Sequence, residues 1–146
     1  MTTVQTMGYG VFAPDNLPPD SRDKFRLVVA TAWVSARNCV TRIIDPELVA
    51  NPGWDILLDL FISGMRDQPA FVCGLCLASH VPQTTALRWI GNLETRGLAH
   101  RTPDTRDRRR SIVQLTELGL EKVRAVLDAA SDSDRKLGIG RLQTAQ

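Results

Sequence analysis

The sequence has no apolar run approaching the roughly 18 to 20 residues that a bilayer-spanning helix needs, so a transmembrane helix is ruled out. Its opening residues, MTTVQTMGYG, lack the basic start and apolar stretch of a secretory signal. Cysteine is scarce, with Cys39, Cys73 and Cys76 only. An odd count without a secretion signal argues against a disulfide framework and for a reducing, cytoplasmic setting. Glycine-rich phosphate loops and nucleophile–base motifs are missing. Nothing therefore points to a group-transfer enzyme, and no catalytic residue and no cofactor is expected. Lysine is nearly absent as well: Lys24, Lys122 and Lys136 stand against 15 arginines. Arginine is the better residue for phosphate forks and narrow grooves, although a GC-rich coding bias produces the same ratio.

What is present fits one domain of ordinary size. The 146 residues are 43% apolar and 23% charged, close to the average of soluble globular proteins. A chain of this length buries roughly two thirds of its unfolded surface, enough for a core without staples. Net charge is +2, from 18 basic and 16 acidic residues, and by itself this near balance indicates no partner.

Periodicity divides the chain. Residues 1–19 hold two glycines and three prolines without sustained pattern, which reads as an irregular arm ordered against a partner subunit. Asp20 or Ser21 is placed to cap a long helix over 20–44. Its stripe of Phe25, Val28, Val29, Ala32, Trp33, Ala36, Val40, Ile43 and Ile44 is wide enough to face a second chain in part. Asp45-Pro46 starts a short turn of helix, and Asn51-Pro52-Gly53 breaks the chain. Trp54, Leu57, Leu58, Phe61, Ile62 and Met65 mark the next helix, followed by a brief one over 73–79 and a turn at His80-Val81. A further helix opens with Pro82 at its first position and carries Ala86, Trp89, Ile90 and Leu93 inward. After Gly97, residues 98–102 and 111–115 alternate like two strands, with a polar loop over 103–110 between them. Thr116 caps a last helix with Leu120, Val123, Leu127 and Ala130 on one side, and the polar tail is expected to fray from Ser131. No internal repeat or low-complexity tract is visible.

This order predicts a mainly α fold with a small β-hairpin wing, a winged helix-turn-helix over 53–115. If Ala86, Trp89, Ile90 and Leu93 face the core, then Gln83, Thr84, Leu87 and Arg88 project from the start of the same helix. Residues near the N-terminus of a helix in the major groove reach base edges first, where Gln pairs with adenine and Arg with guanine. The loop carries Arg106, Arg108, Arg109 and Arg110, which suit a narrow minor groove. Asp104 and Asp107 are expected to hold some of these guanidinium groups in position. Most charge runs are merely solvated loops. The position of this one, just after a helix-turn-helix pattern, favours double-stranded DNA as partner.

The segment Leu93-Glu94-Thr95-Arg96-Gly97-Leu98, the wing Asp104-Thr105-Arg106-Asp107-Arg108-Arg109 and the return Leu115-Thr116-Glu117-Leu118-Gly119 resemble the MarR family of winged-helix regulators. The resemblance runs from about Asp20 to Ala130. It implies a homodimeric transcription factor, often a repressor, that binds palindromic operators. Helices 20–44 and 116–135 would then interlace as the dimer interface within a single domain over 20–136, leaving 137–146 as a polar tail. By the same resemblance Gln83, Thr84, Leu87 and Arg88 read bases, while Arg106, Arg108 and Arg109 contact DNA from the wing. A small, often aromatic effector is expected in a cleft lined by Trp33, Arg37, Trp54 and Phe61, with Arg37 as anion partner. His80 occupies a turn position commonly held by glycine, and Cys76 one commonly held by alanine.

Two competing readings remain at the level of sequence. One is a winged-helix module that docks a protein and does not bind DNA. The other is a thiol- or metal-responsive sensor, since Cys73, Cys76 and His80 share one helical face. Zinc needs more ligands than this run supplies, and no metal site is expected. The charge balance also takes on a shape. Residues 82–110 hold seven arginines against Glu94, Asp104 and Asp107, a surplus of +4, which leaves −2 for the rest of the chain.

Overall fold

A computed structural model describes residues 22–137. The arm over 1–19, the candidate caps Asp20 and Ser21, and the end of the tail lie outside the described residues. The element order is α1 (Asp23–Ile43), α2 (Pro46–Val49), α3 (Pro52–Met65), β1 (Ala70–Phe71), α4 (Val72–Ala78), α5 (Gln83–Thr95), β2 (Ala99–Pro103), β3 (Ser111–Leu115) and α6 (Glu117–Leu137). The fold is mainly helical, with a three-stranded antiparallel sheet in the order β1-β3-β2.

Helix α3 is the centre. Pro52 supplies a ready-made first turn, and the helix buries Ile56, Leu58, Leu60, Phe61 and Ile62. These residues point in several directions, so the helix is enclosed rather than merely amphipathic. It touches α1, α4, α5, α6, β1 and β3. Leu75, Ile90, Leu93, Val113, Leu115, Leu120, Val123 and Leu127 complete the core around it.

The long helices pack on α3 differently from what their stripes suggest. On α1 the buried residues are Asp23, Arg26, Ala30 and Thr41. The expected stripe lies largely on the opposite side: Phe25, Val28, Val40, Ile43 and Ile44 are exposed, Val28 to 64% and Ile43 to 76%. The inward face is tied to α6 by charge instead. Arg26 donates from Nε and Nη2 to the two oxygens of Asp128 (2.8 and 2.7 Å). Its Nη1 reaches Asp23 (3.1 Å), which also accepts from Arg124 Nε (3.0 Å). Buried guanidinium groups are tolerated here because their donors meet carboxylates in bidentate geometry.

Other boundaries are corrected too. Pro82 is the N-cap of α5, not its first helical residue. Trp89 is 36% exposed and does not enter the core; its ring lies over Gly53, where a Cβ would stand 3.2 Å away. Ala130 is only half-buried, whereas Leu120, Val123 and Leu127 are inside as expected. Helix α6 does not fray at Ser131 but continues to Leu137, and Ser131 itself is buried. Strand β1 has no counterpart in the sequence reading, since two residues are too short for any period to register.

The link from wing to α6 explains the leucine-threonine-x-x-glycine return. Thr116 N donates to Leu98 O (3.1 Å), and the Thr116 hydroxyl donates to Gly97 O. The same hydroxyl accepts from Gly119 N (3.0 Å), capping α6. At Gly119 an added Cβ would fall 2.0 Å from Leu98 O, a backbone atom that cannot step aside. Gly119→Ala is therefore expected to cost about 3 kcal/mol or more, by forcing α6 off the strand return. Thermal unfolding measures this, and an unchanged midpoint would contradict the close approach.

Candidate nucleic-acid interface

Helices α4 and α5 form the helix-turn-helix. Between them His80 adopts φ 59°, in the left-handed region that glycine usually supplies. Two contacts secure this turn. The Ser79 hydroxyl donates to Cys76 O (2.7 Å), and His80 Nε2 lies 2.9 Å from Asn38 Oδ1 on α1. Helix α5 then buries Ala86, Ile90 and Leu93. On its other side Gln83, Thr84 and Arg88 are exposed, while Leu87 is half-buried and contributes packing as well as surface.

The wing is built on a buried carboxylate. Strands β2 and β3 pair from Ala99↔Leu115 to Pro103↔Ser111. At the end of the ladder Asp104 is fully buried. It accepts from Arg106 N (3.0 Å) and from Arg110 Nη2 (2.9 Å), while its own N–H donates to Arg110 O (3.0 Å). Arg110 also stacks over Phe71 of β1, its guanidinium carbon 4.2 Å from the ring centroid. Asp107 accepts from Arg109 N and Nε (both 3.1 Å). These hydrogen bonds, with Arg110 nearby, hold its carboxyl below the usual carboxylate range. Both aspartates therefore organise arginines, as the spacing suggested.

The four arginines are not equivalent. Arg110 is drawn back to Asp104 and Phe71 at the wing's root. Arg109 is 90% exposed in its side chain although paired with Asp107. Arg106 and Arg108 are exposed at the tip. Arg101 on β2 is paired with Glu94 of α5 at 2.7 Å, bracing the strand against the helix. Phe71 and Glu94 were not legible as parts of this arrangement, since each acts through a tertiary neighbour.

The expected effector cleft is not assembled as the sequence suggested. Phe61 is fully buried in the core. Trp33 and Trp54 meet edge to face, their centroids 5.2 Å apart, and the buried Trp54 indole N–H has no hydrogen-bond partner among the described residues. Arg37 is occupied by Asp55 (3.1 and 3.2 Å) and by Val49 O (2.7 Å). Of the four residues only Arg37 lines the cavity of about 170 Å³ bounded by Val34, Asn38, Asp55, Asp59, Ala78 and His80. Cys73, Cys76 and His80 form no metal-ligating group of three among the described residues.

No protein-family model and no curated protein matches this chain. Solved structures do. Staphylococcus aureus MepR in its DNA-binding conformation aligns at TM-score 0.53 and 20% identity, over 84% of this chain and 85% of that one. The chain has the winged helix fold of MepR. The S. aureus MepR–DNA complex aligns at TM-score 0.53 and 20% identity, over 83% of this chain and 93% of that one. MepR bound to ethidium bromide aligns at 0.51 and 18%, over 84% and 83%. A shorter protein of Archaeoglobus fulgidus aligns at 0.51 and 12%, over 62% of this chain and 98% of its own. No helix among the described residues is long and apolar enough to cross a membrane.

The cavity yields a prediction about pH. Burial, partly offset by Arg66, pushes the Asp59 carboxyl above its ordinary value of 3.8. The folded protein therefore holds this proton more tightly than the unfolded chain, and stability falls as pH rises from the unfolded value through the raised folded one. Asp59→Asn is expected to raise the thermal midpoint at pH 7 by about 2–4 °C. That gain should disappear below about pH 3.8, where the native aspartate is already neutral. A gain independent of pH would show that the carboxylate's charge is not its source.

Proposed function

We propose that this protein is a sequence-specific DNA-binding transcriptional regulator that acts as a homodimer. The observation that carries the reading is a pair of exposed elements that stand close together in the chain. A winged helix leaves Gln83, Thr84 and Arg88 bare at the start of α5, and its wing tip bears Arg106, Arg108 and Arg109. Segment 82–110, with its +4 surplus, is where a phosphate backbone would be attracted. MepR offers support by analogy, as a regulator of a multidrug efflux pump whose structures include a DNA complex. Its sites are palindromic, since a two-fold dimer presents two recognition helices to two half-sites about one helical turn apart, and the resemblance to MarR regulators favours repression as the outcome. It works on DNA in the cytoplasm and performs no catalysis.

The dimer reading rests on the exposed stripe of α1 and its companion on α6. Phe25, Val28, Leu118 and Val126 are all more than 40% exposed. An apolar surface of this kind is stabilised by burial at about 25 cal/mol per Å² against a second copy. Val28→Glu is expected to shift the protein from dimer to monomer in sedimentation, with secondary structure retained. A monomeric unmodified protein would remove this reading.

The effector occupies the 170 Å³ cavity between α1, α3 and the helix-turn-helix. A cavity of roughly 150 Å³ accepts one aromatic ring where its walls are apolar, and here only Val34 and Ala78 are apolar, so the ligand would also carry polar groups. Asp55 neutralises Arg37 and Asp59 adds a second carboxylate, so an anionic ligand is disfavoured. A ligand releases DNA only if it prefers a half-site spacing that the operator does not fit.

Selection of bound duplexes from a random pool tests the reading, the expected product being a palindrome. On the selected site, Arg108→Ala should weaken binding roughly tenfold and lower the salt slope by about 1. Arg110→Ala should act instead through the wing's stability, lowering the thermal midpoint as well as the affinity. A pool that yields no enriched sequence would favour a protein-docking module.

A further inference from the structure

Helix α4 carries two thiols that the DNA reading leaves unused. Cys73 and Cys76 stand three positions apart on α4, so they are neighbours on the helix surface. Cys73 is exposed and Cys76 buried, and both are free thiols. Among the described residues nothing lies within 4 Å of a Cβ built at Gly74, and Leu77 is 83% exposed. Burial, and secondarily the neighbouring Cys73, push the Cys76 thiol above its ordinary value. The remaining thiol, Cys39, belongs to α1 and is half-buried.

We propose that Cys73 and Cys76 form a reversible disulfide by exchange with a small-molecule disulfide, and that this bond reshapes α4 beneath the recognition helix. In the first step the exposed Cys73 thiolate attacks one sulfur of the external disulfide. A new S–S bond forms, the old one breaks, and the departing thiolate takes up the proton that Cys73 lost. In the second step the Cys76 thiolate attacks Cys73 Sγ and expels the second small thiol, which takes the Cys76 proton. Two protein thiols are oxidised by two electrons, and one external disulfide is reduced to two thiols.

The coupling to α5 follows from distances. Side chains three apart on a helix have Cβ atoms about 5–6 Å apart, whereas a disulfide holds them at roughly 3.5–4.5 Å. Closing the bond therefore requires the first turn of α4 to deform by about 1 Å. Cys76 is wedged in the core, and close-packed interiors transmit such a shift instead of absorbing it. Cys76 O accepts the hydroxyl of Ser79, and Ser79 leads directly into the left-handed turn at His80 that launches α5. Helix α4 also packs against α3, α5 and β1. The disulfide thus disfavours the arrangement of α4 and α5 present with free thiols. Only its last consequence, weaker DNA binding, rests on the proposed function.

The full-length protein equilibrated in reduced and oxidised glutathione tests this by non-reducing peptide mapping, amide hydrogen exchange and affinity for a fluorescent random-sequence duplex pool. The expected result is a Cys73–Cys76 linkage within one chain and faster exchange across α5. Duplex affinity should fall roughly tenfold, and all three changes should reverse with dithiothreitol. By linkage a tenfold preference of DNA for the reduced form raises the midpoint potential by about 30 mV when duplex is present. Cys73→Ser and Cys76→Ala should abolish the response, while Cys39→Ser should leave it intact. A linkage through Cys39, a linkage between chains, persistent thiols, or a Cys73–Cys76 bond without altered α5 exchange would each overturn the proposal. If the reduced protein binds no duplex, the DNA reading fails, and the mapping and exchange data still decide the thiol switch.

Discussion

The enclosure of α3 is the constraint on which the remaining structure depends. A helix that buries Ile56, Leu58, Leu60, Phe61 and Ile62 must be surrounded, and its neighbours are α1 and α6 as well as α4, α5 and the sheet. The long helices and the winged module therefore share one core. Movement of either group must be accommodated at α3, because a close-packed interior does not deform continuously. The cavity beside Asp55, Asp59 and His80 lies where α1, α3 and the end of α4 meet.

Charge is handled in two ways in this molecule. Where arginines are buried or half-buried, each is matched: Arg26 by Asp23 and Asp128, Arg124 by Asp23, and Arg37 by Asp55. At the wing the same chemistry is used sparingly. Asp104 is buried to hold the root, and Asp107 orders the tip, so that some guanidinium groups are fixed while others stay at the surface. A loop of arginines without those two aspartates would be an unstructured cluster of like charges. With them it is a positioned one.

Much of the arrangement was legible in the sequence because it is local. Asp45 before Pro46 does accept the N–H of Glu47, and Asp104 and Asp107 do organise their own loop. Thr116 does cap α6. Each depends on atoms within a few residues, so spacing and side-chain chemistry suffice to foresee it. Local pattern is insufficient where an apolar residue has two places to go. Val28 and Ile43 carry the periodicity of a buried stripe, yet the monomer's core takes Ala30 and Arg26 from the other side of α1. Trp89 follows the helical period but serves as a lid over Gly53.

The sequence by itself determined the order of elements, the helix-turn-helix and wing, and the concentration of positive charge in segment 82–110. Periodicity, caps and turn chemistry are properties of short stretches of chain, and they survive in any tertiary context. Only the tertiary structure decided which face of α1 meets the core, that Arg37 belongs to Asp55 instead of to an anion, and that Arg110 anchors the wing on Phe71. It also added β1, two residues whose strand character exists only because β3 lies alongside. Those outcomes depend on competition among distant groups for the same partner or the same space, and no local pattern records who wins.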